Sequence, residues 1–558
     1  MNYPIWDLPA SGLLIAFVAI VHVFVSHFAV GGGLFLVLTE RKARREADAA
    51  LLEYVKAHTR FFVLLTLVFG AITGVGIWFT IGLVHPAATS SLIAAFVWGW
   101  AIEWTFFVVE IAAAMVYFYG WDRLPARTHM AVGWVYFWAA WLSLAVINGI
   151  LTFMLTPGAW LETRSFWAGI LNPTYLPAVL ARTFGAVGLA GVYALLTASR
   201  LSDAALKGRI ARYAVVKWIA PMVVLLPVSL VWALGAAAAD GVPVREILGA
   251  ANAGIPALVA AVFGGAATGH PVAQVATRVL LIASLAGLCF SALVFRRRRE
   301  YGRPLAAAVM ASTFVALGAA EWVREDLRKP YVIGHYMFVN GVRLPARAGT
   351  PIEDRFTVDA LNESGVLPAA AWSRLPQHGE AVSDVARGEE VFRLLCRSCH
   401  TVDGYLAVRP LVRNASLSSA DAMLGRLASP ASGADWTEPR PALRTWRGRR
   451  MPPFAGTREE RRALAAYLVS LGGAPAGASE RADAGARFFT DNCSMCHGPG
   501  ADFPFDAKGR PADTFYEMLG RLPAINDAMP AFEGTDAERQ AVAVYLATLN
   551  HTAKEAVR

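Results

Sequence analysis

Cys396-Arg397-Ser398-Cys399-His400 decides how the rest of the chain is read, and it returns later as Cys493-Ser494-Met495-Cys496-His497. C-x-x-C-H is the attachment pattern of haem c: two thiols bond the porphyrin vinyl groups, and the adjacent imidazole ligates the iron. C-x-x-C alone also serves zinc and thiol redox chemistry, so two zinc knuckles or disulfides are the rival reading. A Met follows each copy in a matching setting, Met451-Pro452-Pro453-Phe454 and Met529-Pro530-Ala531-Phe532. A thioether is a usual sixth ligand in electron-transfer cytochromes c, where it raises the potential. Each unit then closes on a helix-like run, residues 463–468 and 541–546. The C-terminal third is therefore expected to carry two covalent haems c. Cys396, Cys399, Cys493 and Cys496 would attach them, and His400, Met451, His497 and Met529 would ligate their irons.

Upstream of these units the chain changes character. Of 558 residues, 56% are hydrophobic and 17% charged, and the mean hydropathy of +0.44 points to a membrane protein. Apolar runs of spanning length appear at about 10–38, 61–84, 92–119, 130–155, 176–198, 213–237, 275–295 and 305–323. Loops after the first, third, fifth and seventh runs carry Arg41 to Arg45, Arg123 and Arg127, Lys207 to Arg212, and Arg296 to Arg299. The alternate loops are nearly free of Lys and Arg. By the positive-inside rule both chain ends lie outside, which agrees with the external attachment of haem c. The same distribution accounts for the net charge of +9 and argues against a nucleic-acid partner. Cys289, the fifth cysteine, reads as an inert core thiol. The opening Met1-Asn2-Tyr3-Pro4-Ile5-Trp6-Asp7 lacks a basic n-region, so no cleavable signal is expected.

The expected fold is all-α, a polytopic membrane helix bundle of about eight spans followed by two small helical cytochrome c domains. The bundle takes residues 1–338, an extended linker 339–380, and the cytochrome c units 381–472 and 477–550. The Ala/Gly-rich piece at 253–268 reads as a membrane-associated or re-entrant loop.

Ionisable groups inside a bilayer are costly and mark function. His22 and His27 lie in the first span, with haem ligation weighed against a satisfied core histidine. Glu103 and Glu110 in the third span suggest a proton path or contacts to haem. His58, His85 and His129 fall near span ends and read as interfacial. Glu321 and Glu325, four apart beside Arg324 and Arg328, suit either a redox site or an ion-pair network.

Spans one to five resemble subunit I of the cytochrome bd quinol oxidases. The resemblance is carried by His22 with Gly31-Gly32-Gly33-Leu34 and Glu40, by Gly70-Ala71-Ile72-Thr73-Gly74, and by Ile102-Glu103. It continues in Glu110 upstream of Gly120-Trp121-Asp122-Arg123-Leu124, in His129-Met130, and in Leu171-Asn172-Pro173. Glu325-Asp326-Leu327-Arg328-Lys329-Pro330-Tyr331 is similar to the family's E-x-G-R-Q-P-W segment, so about 335 residues are covered. The resemblance implies that His22 and Glu325 are axial ligands of two membrane haems, of b type or with one of d type. It also implies that Glu103 and Glu110 lie at the oxygen site and its proton path, and that Arg328 supports propionates or the quinol region. Two departures stand out. Arg182 occupies the place of the family's low-spin haem His and Leu280 that of its Met partner, and arginine does not give up its proton to ligate iron. The outer loop involved in quinol oxidation is also shortened.

These readings imply a respiratory oxidoreductase of the bacterial cytoplasmic membrane, embedded in lipid, with its cytochrome c domains on the periplasmic side. A terminal oxygen reductase fed by cytochrome c is favoured. The alternatives are a quinol oxidase passing electrons out through its haems c, and a non-catalytic electron-transfer subunit. A second membrane subunit or a homo-oligomer is compatible with either enzyme reading.

Overall fold

The computed structural model describes residues 11–248, 271–345, 355–376, 382–412, 415, 417–428, 451–472, 484–498, 505, 510, 512–536, 538–543 and 545–546. The loop expected at 253–268 lies outside the described residues.

Among these residues eight helices are long and apolar enough to cross a membrane: Gly12–Arg45, Ala49–Val84, Val97–Tyr119, Ala126–Phe153, Tyr175–Ala198, Ala204–Ala239, Val272–Arg296 and Arg303–Arg328. Local chemistry sets several of their ends. Asp48 caps the second span by accepting from the Leu51 N–H, and Asp203 caps the sixth through the Ala205 and Leu206 N–H groups. Lys42, Arg44 and Arg45 close the first span, where cations suit the negative end of the helix dipole. The second and sixth spans reach 36 residues each, longer than the ~20 that a bilayer core requires. Both contain a π-helical stretch, Leu64–Gly70 and Ala214–Ile219. Their outward faces stay apolar, with Leu64, Ile72, Val75, Phe79, Val224, Val228 and Val231 all exposed, as lipid contact demands.

Inside the bundle, Phe28, Phe35, Phe62, Tyr193 and Trp218 form an aromatic core. Gly31 brings the first and fifth spans together backbone to backbone, because a Cβ there would lie 1.9 Å from the Ala186 carbonyl oxygen. Cys289 departs from the sequence reading: it is exposed on the seventh span. An apolar run does not say which of its residues face lipid and which face protein.

After the eighth span a small antiparallel hairpin, β1 (Tyr331–Ile333) and β2 (Met337–Phe338), joins the bundle to the C-terminal units. One side is tied to the bundle, where the Gly334 N–H donates to the Met154 carbonyl at 2.9 Å. The other side enters a second core, in which Phe338, Val342 and Leu344 pack with Phe392, Leu395, Phe454 and Leu464. The expected linker is only partly a linker. Residues 355–376 form the helices Val358–Ser364 and Val366–Ala369, and Val358, Leu361, Val366 and Ala369 belong to this same core. Buried Glu460 fixes them by accepting from the Val366 and Leu367 N–H groups at 2.9 and 2.8 Å. The Pro and Gly residues mark turns here, and the apolar residues between them find a surface to cover.

The two C-terminal units share one construction. Gly388 and Gly485 each stand eight residues before the first motif cysteine. A Cβ on Gly388 would meet the Ala463 carbonyl oxygen at 1.9 Å, and one on Gly485 the Ala541 oxygen at 2.0 Å. In both units the helix before C-x-x-C-H therefore crosses the helix after the Met at backbone contact.

Candidate functional site

In the first unit the helix Asp384–Leu395 delivers Cys396 at its C-terminal end. The His400 Nδ1 donates to the Leu406 carbonyl at 3.1 Å, which sets the tautomer and leaves Nε2 for a metal. Met451 packs half-buried against the same core. Burial pushes the Cys396 and Cys493 thiols up to about 12, so both cysteines are neutral thiols. Among the described residues no group of three or more His, Cys, Asp or Glu side chains is placed to hold a metal ion. Cys493 precedes the short helix Ser494–His497, which carries Cys496 and His497, and Met529 follows in a half-buried turn. Met495, inside this second motif, packs into the core of the first unit.

The first motif also touches the bundle. Cys399 packs against an apolar cluster that holds Phe96, Ile150 and Phe153 of the bundle together with Ile333, Met337 and Val339 of the hairpin segment. Lys329 and Glu325 lie close enough to act electrostatically on the Cys399 thiol, whose pKa burial raises. Asn340 donates to the Leu395 carbonyl at 3.3 Å. His85 belongs to the same neighbourhood: burial and then the Arg328 charge lower its pKa to about 4.

Within the bundle the site residues separate into groups. His22 lies at the first–second span contact, its Nδ1 3.1 Å from the Thr73 Oγ1. The Thr73 hydroxyl itself donates to the Phe69 carbonyl at 2.9 Å, so His22 Nδ1 donates and Nε2 is left bare. The His27 Nδ1 donates to the Val23 carbonyl at 2.8 Å, again leaving Nε2 free to accept or to ligate. Glu325 pairs with Arg328 at 2.5 Å, and the other side of that guanidinium donates to the Val332 carbonyl at 3.0 Å. Glu321 bonds Arg324 at 2.7 Å and faces Arg182 at 3.6 Å. The ion-pair network is thus present, and it includes Arg182. Arg324 Nη1 and Arg328 Nε are buried donors without acceptors. Free imidazole Nε2 atoms and orphaned guanidinium donors form a donor set that fits haems, whose irons take imidazole and whose propionates take arginine.

The Glu103 Oε1 accepts from the Ser143 hydroxyl at 2.9 Å. The Tyr136 Oη lies 3.0 Å from both Glu110 Oε1 and the Ala29 carbonyl oxygen. One hydroxyl proton cannot serve two acceptors, so the three atoms suit a Glu110 that carries a proton of its own.

His58 and His129, read as interfacial from their sequence positions, are both buried inside the bundle. His58 is buried, with Nδ1 on Thr197 Oγ1 at 2.9 Å and Nε2 without a partner. His129 is fully buried; its Nδ1 faces Glu40 at 3.0 Å and its Nε2 the Tyr117 carbonyl at 2.9 Å. Tyr117 and Arg44 each donate to Glu40 at 2.7 Å, completing a closed cluster. The missed signal was helix length. The second and fourth spans begin at Ala49 and Ala126, well before the purely apolar runs, so these histidines lie inside helices.

Comparison with known proteins agrees with this division. Residues 11–246 match the family model of cytochrome bd terminal oxidase subunit I. Residues 385–472 match cytochrome c, and 480–546 match cytochrome c oxidase, cbb3-type, subunit III. No curated protein matches the chain. Among solved structures, the bd oxidase from Geobacillus thermodenitrificans is similar at 17% identity and a TM-score of 0.41, over 58% of this chain and 87% of that one. The chain thus consists of a cytochrome bd subunit I domain at its N-terminus followed by two domains of the cytochrome c class.

Proposed function

We propose that this protein is a respiratory terminal reductase of oxygen, fed from the periplasmic side by a soluble donor such as cytochrome c. Both chain ends lie outside the cytoplasmic membrane in this reading. Haems c are carried on Cys396/Cys399 and Cys493/Cys496, with His400, Met451, His497 and Met529 as ligands. Two further haems sit in the bundle, with His22 and Glu325 as ligands and His27 close by. When bound, these groups supply one-electron carriers and an iron that takes up the oxidant.

The observation that carries the reading is the packing of Cys399 against the hairpin segment that directly follows Glu325-Asp326-Leu327-Arg328. This contact holds the first cytochrome c unit beside the residues assigned to a membrane haem. The second unit abuts the first through Met495. Arg182 supports the same direction of flow. Paired with Glu321, it takes up the position through which quinol electrons would pass in the bd quinol oxidases. Within the bundle, Glu110 with Tyr136 and Glu103 with Ser143 hold protons on the way to the oxidant. Arg328 pairs with Glu325, and its buried Nε would serve a propionate of a bound haem.

The test is oxygen uptake by the purified holoprotein with reduced soluble cytochrome c as sole electron source. Sustained uptake, unchanged by added quinol, is expected. No uptake, with the haems c becoming reduced on adding quinol, would overturn the reading in favour of a quinol oxidase.

A further inference from the structure

Arg164 follows the fourth span, between the short helices Trp160–Thr163 and Phe166–Ile170. Its backbone has φ +54°, in the left-handed region that a residue with a Cβ seldom adopts. The guanidinium carbon stands 4.3 Å from the Trp160 ring centre and 4.9 Å from that of Tyr336. Those rings meet edge to face at 5.2 Å, so two fixed aromatic surfaces set the plane of the guanidinium. Arg343 approaches the same Tyr336 ring, at 5.6 Å, and donates to the Ser91 hydroxyl at 3.3 Å. Two cations therefore share one ring, and no carboxylate among the described residues bonds Arg164. Its Nε and Nη1 are both buried and without acceptors.

Leaving two donors of a cation dry and unmatched is costly. Nε with a neighbouring Nη forms one edge of the guanidinium fork, the edge that takes both oxygens of a carboxylate. Place decides whose carboxylate it is. Trp160 and Tyr336 belong to the apolar cluster against which Cys399 packs, at the join between bundle and first cytochrome c unit.

We propose that Arg164 is a carboxylate-binding residue of this join and receives a haem propionate. The proposal rests on the presence of haems, and not on the direction of electron flow. The propionate belongs either to the haem on Cys396/Cys399 or to a membrane haem.

The experiment is an anaerobic spectroelectrochemical titration of holoprotein carrying Arg164→Gln or Arg164→Lys, reading c-type and membrane haems by their separate absorption bands. Haem content is measured alongside. Removing a cation from a propionate favours the oxidised haem. One haem in Arg164→Gln should therefore shift downward by about tenfold in its redox equilibrium constant, or 59 mV for a one-electron couple. The band that moves names the owner of the propionate. Full haem content with every midpoint unmoved overturns the assignment. Should Arg164→Gln lose its haems, Arg164→Lys is read by redox-difference infrared spectroscopy. A displaced propionate band supports the proposal, and an unmoved one overturns it. Since neither oxygen nor a natural donor takes part, failure of the oxidase reading leaves this result standing, and the reverse also holds.

Discussion

Glu321→Gln is the substitution whose cost the structure specifies most closely. Glu321 stands between two guanidiniums, 2.7 Å from Arg324 and 3.6 Å from Arg182. The Arg182 and Glu321 side chains are only 12% and 20% exposed, so solvent screening is weak. At an effective dielectric of ~20, a pair at this longer separation attracts by about 4–5 kcal/mol before desolvation is counted. The glutamine removes that attraction and leaves two buried cations facing each other. Loss of one partner from a buried pair costs about 3–5 kcal/mol. Arg182→Met should cost much less, because Glu321 keeps Arg324. The double substitution should be less damaging than the sum of its parts by more than about 1 kcal/mol, since it removes the stranded Arg182 charge. The assay is thermal unfolding of detergent-solubilised protein followed by tryptophan fluorescence. At about 1–2 °C per kcal/mol for a bundle of this size, Glu321→Gln should lower the apparent Tm by roughly 5 °C. An unchanged Tm, or strict additivity in the double mutant, would refute the claim that this triad is a structural ion pair.

Glu110→Gln should slow turnover by about 10²-fold with haem content intact, the range expected for loss of a proton-transfer group; equal turnover would remove Glu110 from the proton path. Gly388→Ala or Gly485→Ala should prevent the close helix crossing of its own cytochrome c unit, and haem-stain intensity should fall by half in each case. In Glu390, burial acts to raise the pKa but is outweighed by hydrogen bonds from Arg393 and the Arg374 N–H, which hold the carboxyl below its ordinary value. A depressed carboxyl stabilises the fold above its unfolded pKa of about 4.3 and loses that contribution as pH falls through the lowered one. Acid unfolding of the first unit, followed through its haem absorbance, should therefore flatten below pH ~4.5 in Glu390→Gln.

Much of the architecture could be read from residue patterns, because its signals are strong and local. Each C-x-x-C-H with its distal Met is a complete chemical unit, and each membrane span announces itself by length and hydropathy. What escaped were features decided by packing between distant segments. Nothing local shows that Val358 and Leu361 cover the first cytochrome c core, or that Glu460 holds the start of the Val366–Ala369 helix from almost a hundred residues away. His58 and His129 looked interfacial because polar residues surround them in sequence, whereas the partners that bury them come from other spans. Arg164 carried no signal at all, since its two aromatic supports are separated by more than 170 residues. At the membrane site, the resemblance drew attention to Arg182 and Glu325, and the structure adds the carboxylate and guanidinium partners that each one has.

The central claim is that electrons pass from the cytochrome c units into the bundle and on to oxygen. Its most direct test is a single turnover: fully reduced, quinol-free holoprotein is mixed with oxygen in a stopped-flow cell while the c-type α-band is followed. The account predicts that both haems c are oxidised within the turnover, and that Cys396→Ala/Cys399→Ala blocks oxidation of the second haem. Haems c that stay reduced while oxygen is present, and that gain electrons when quinol is added to the oxidised protein, would contradict it.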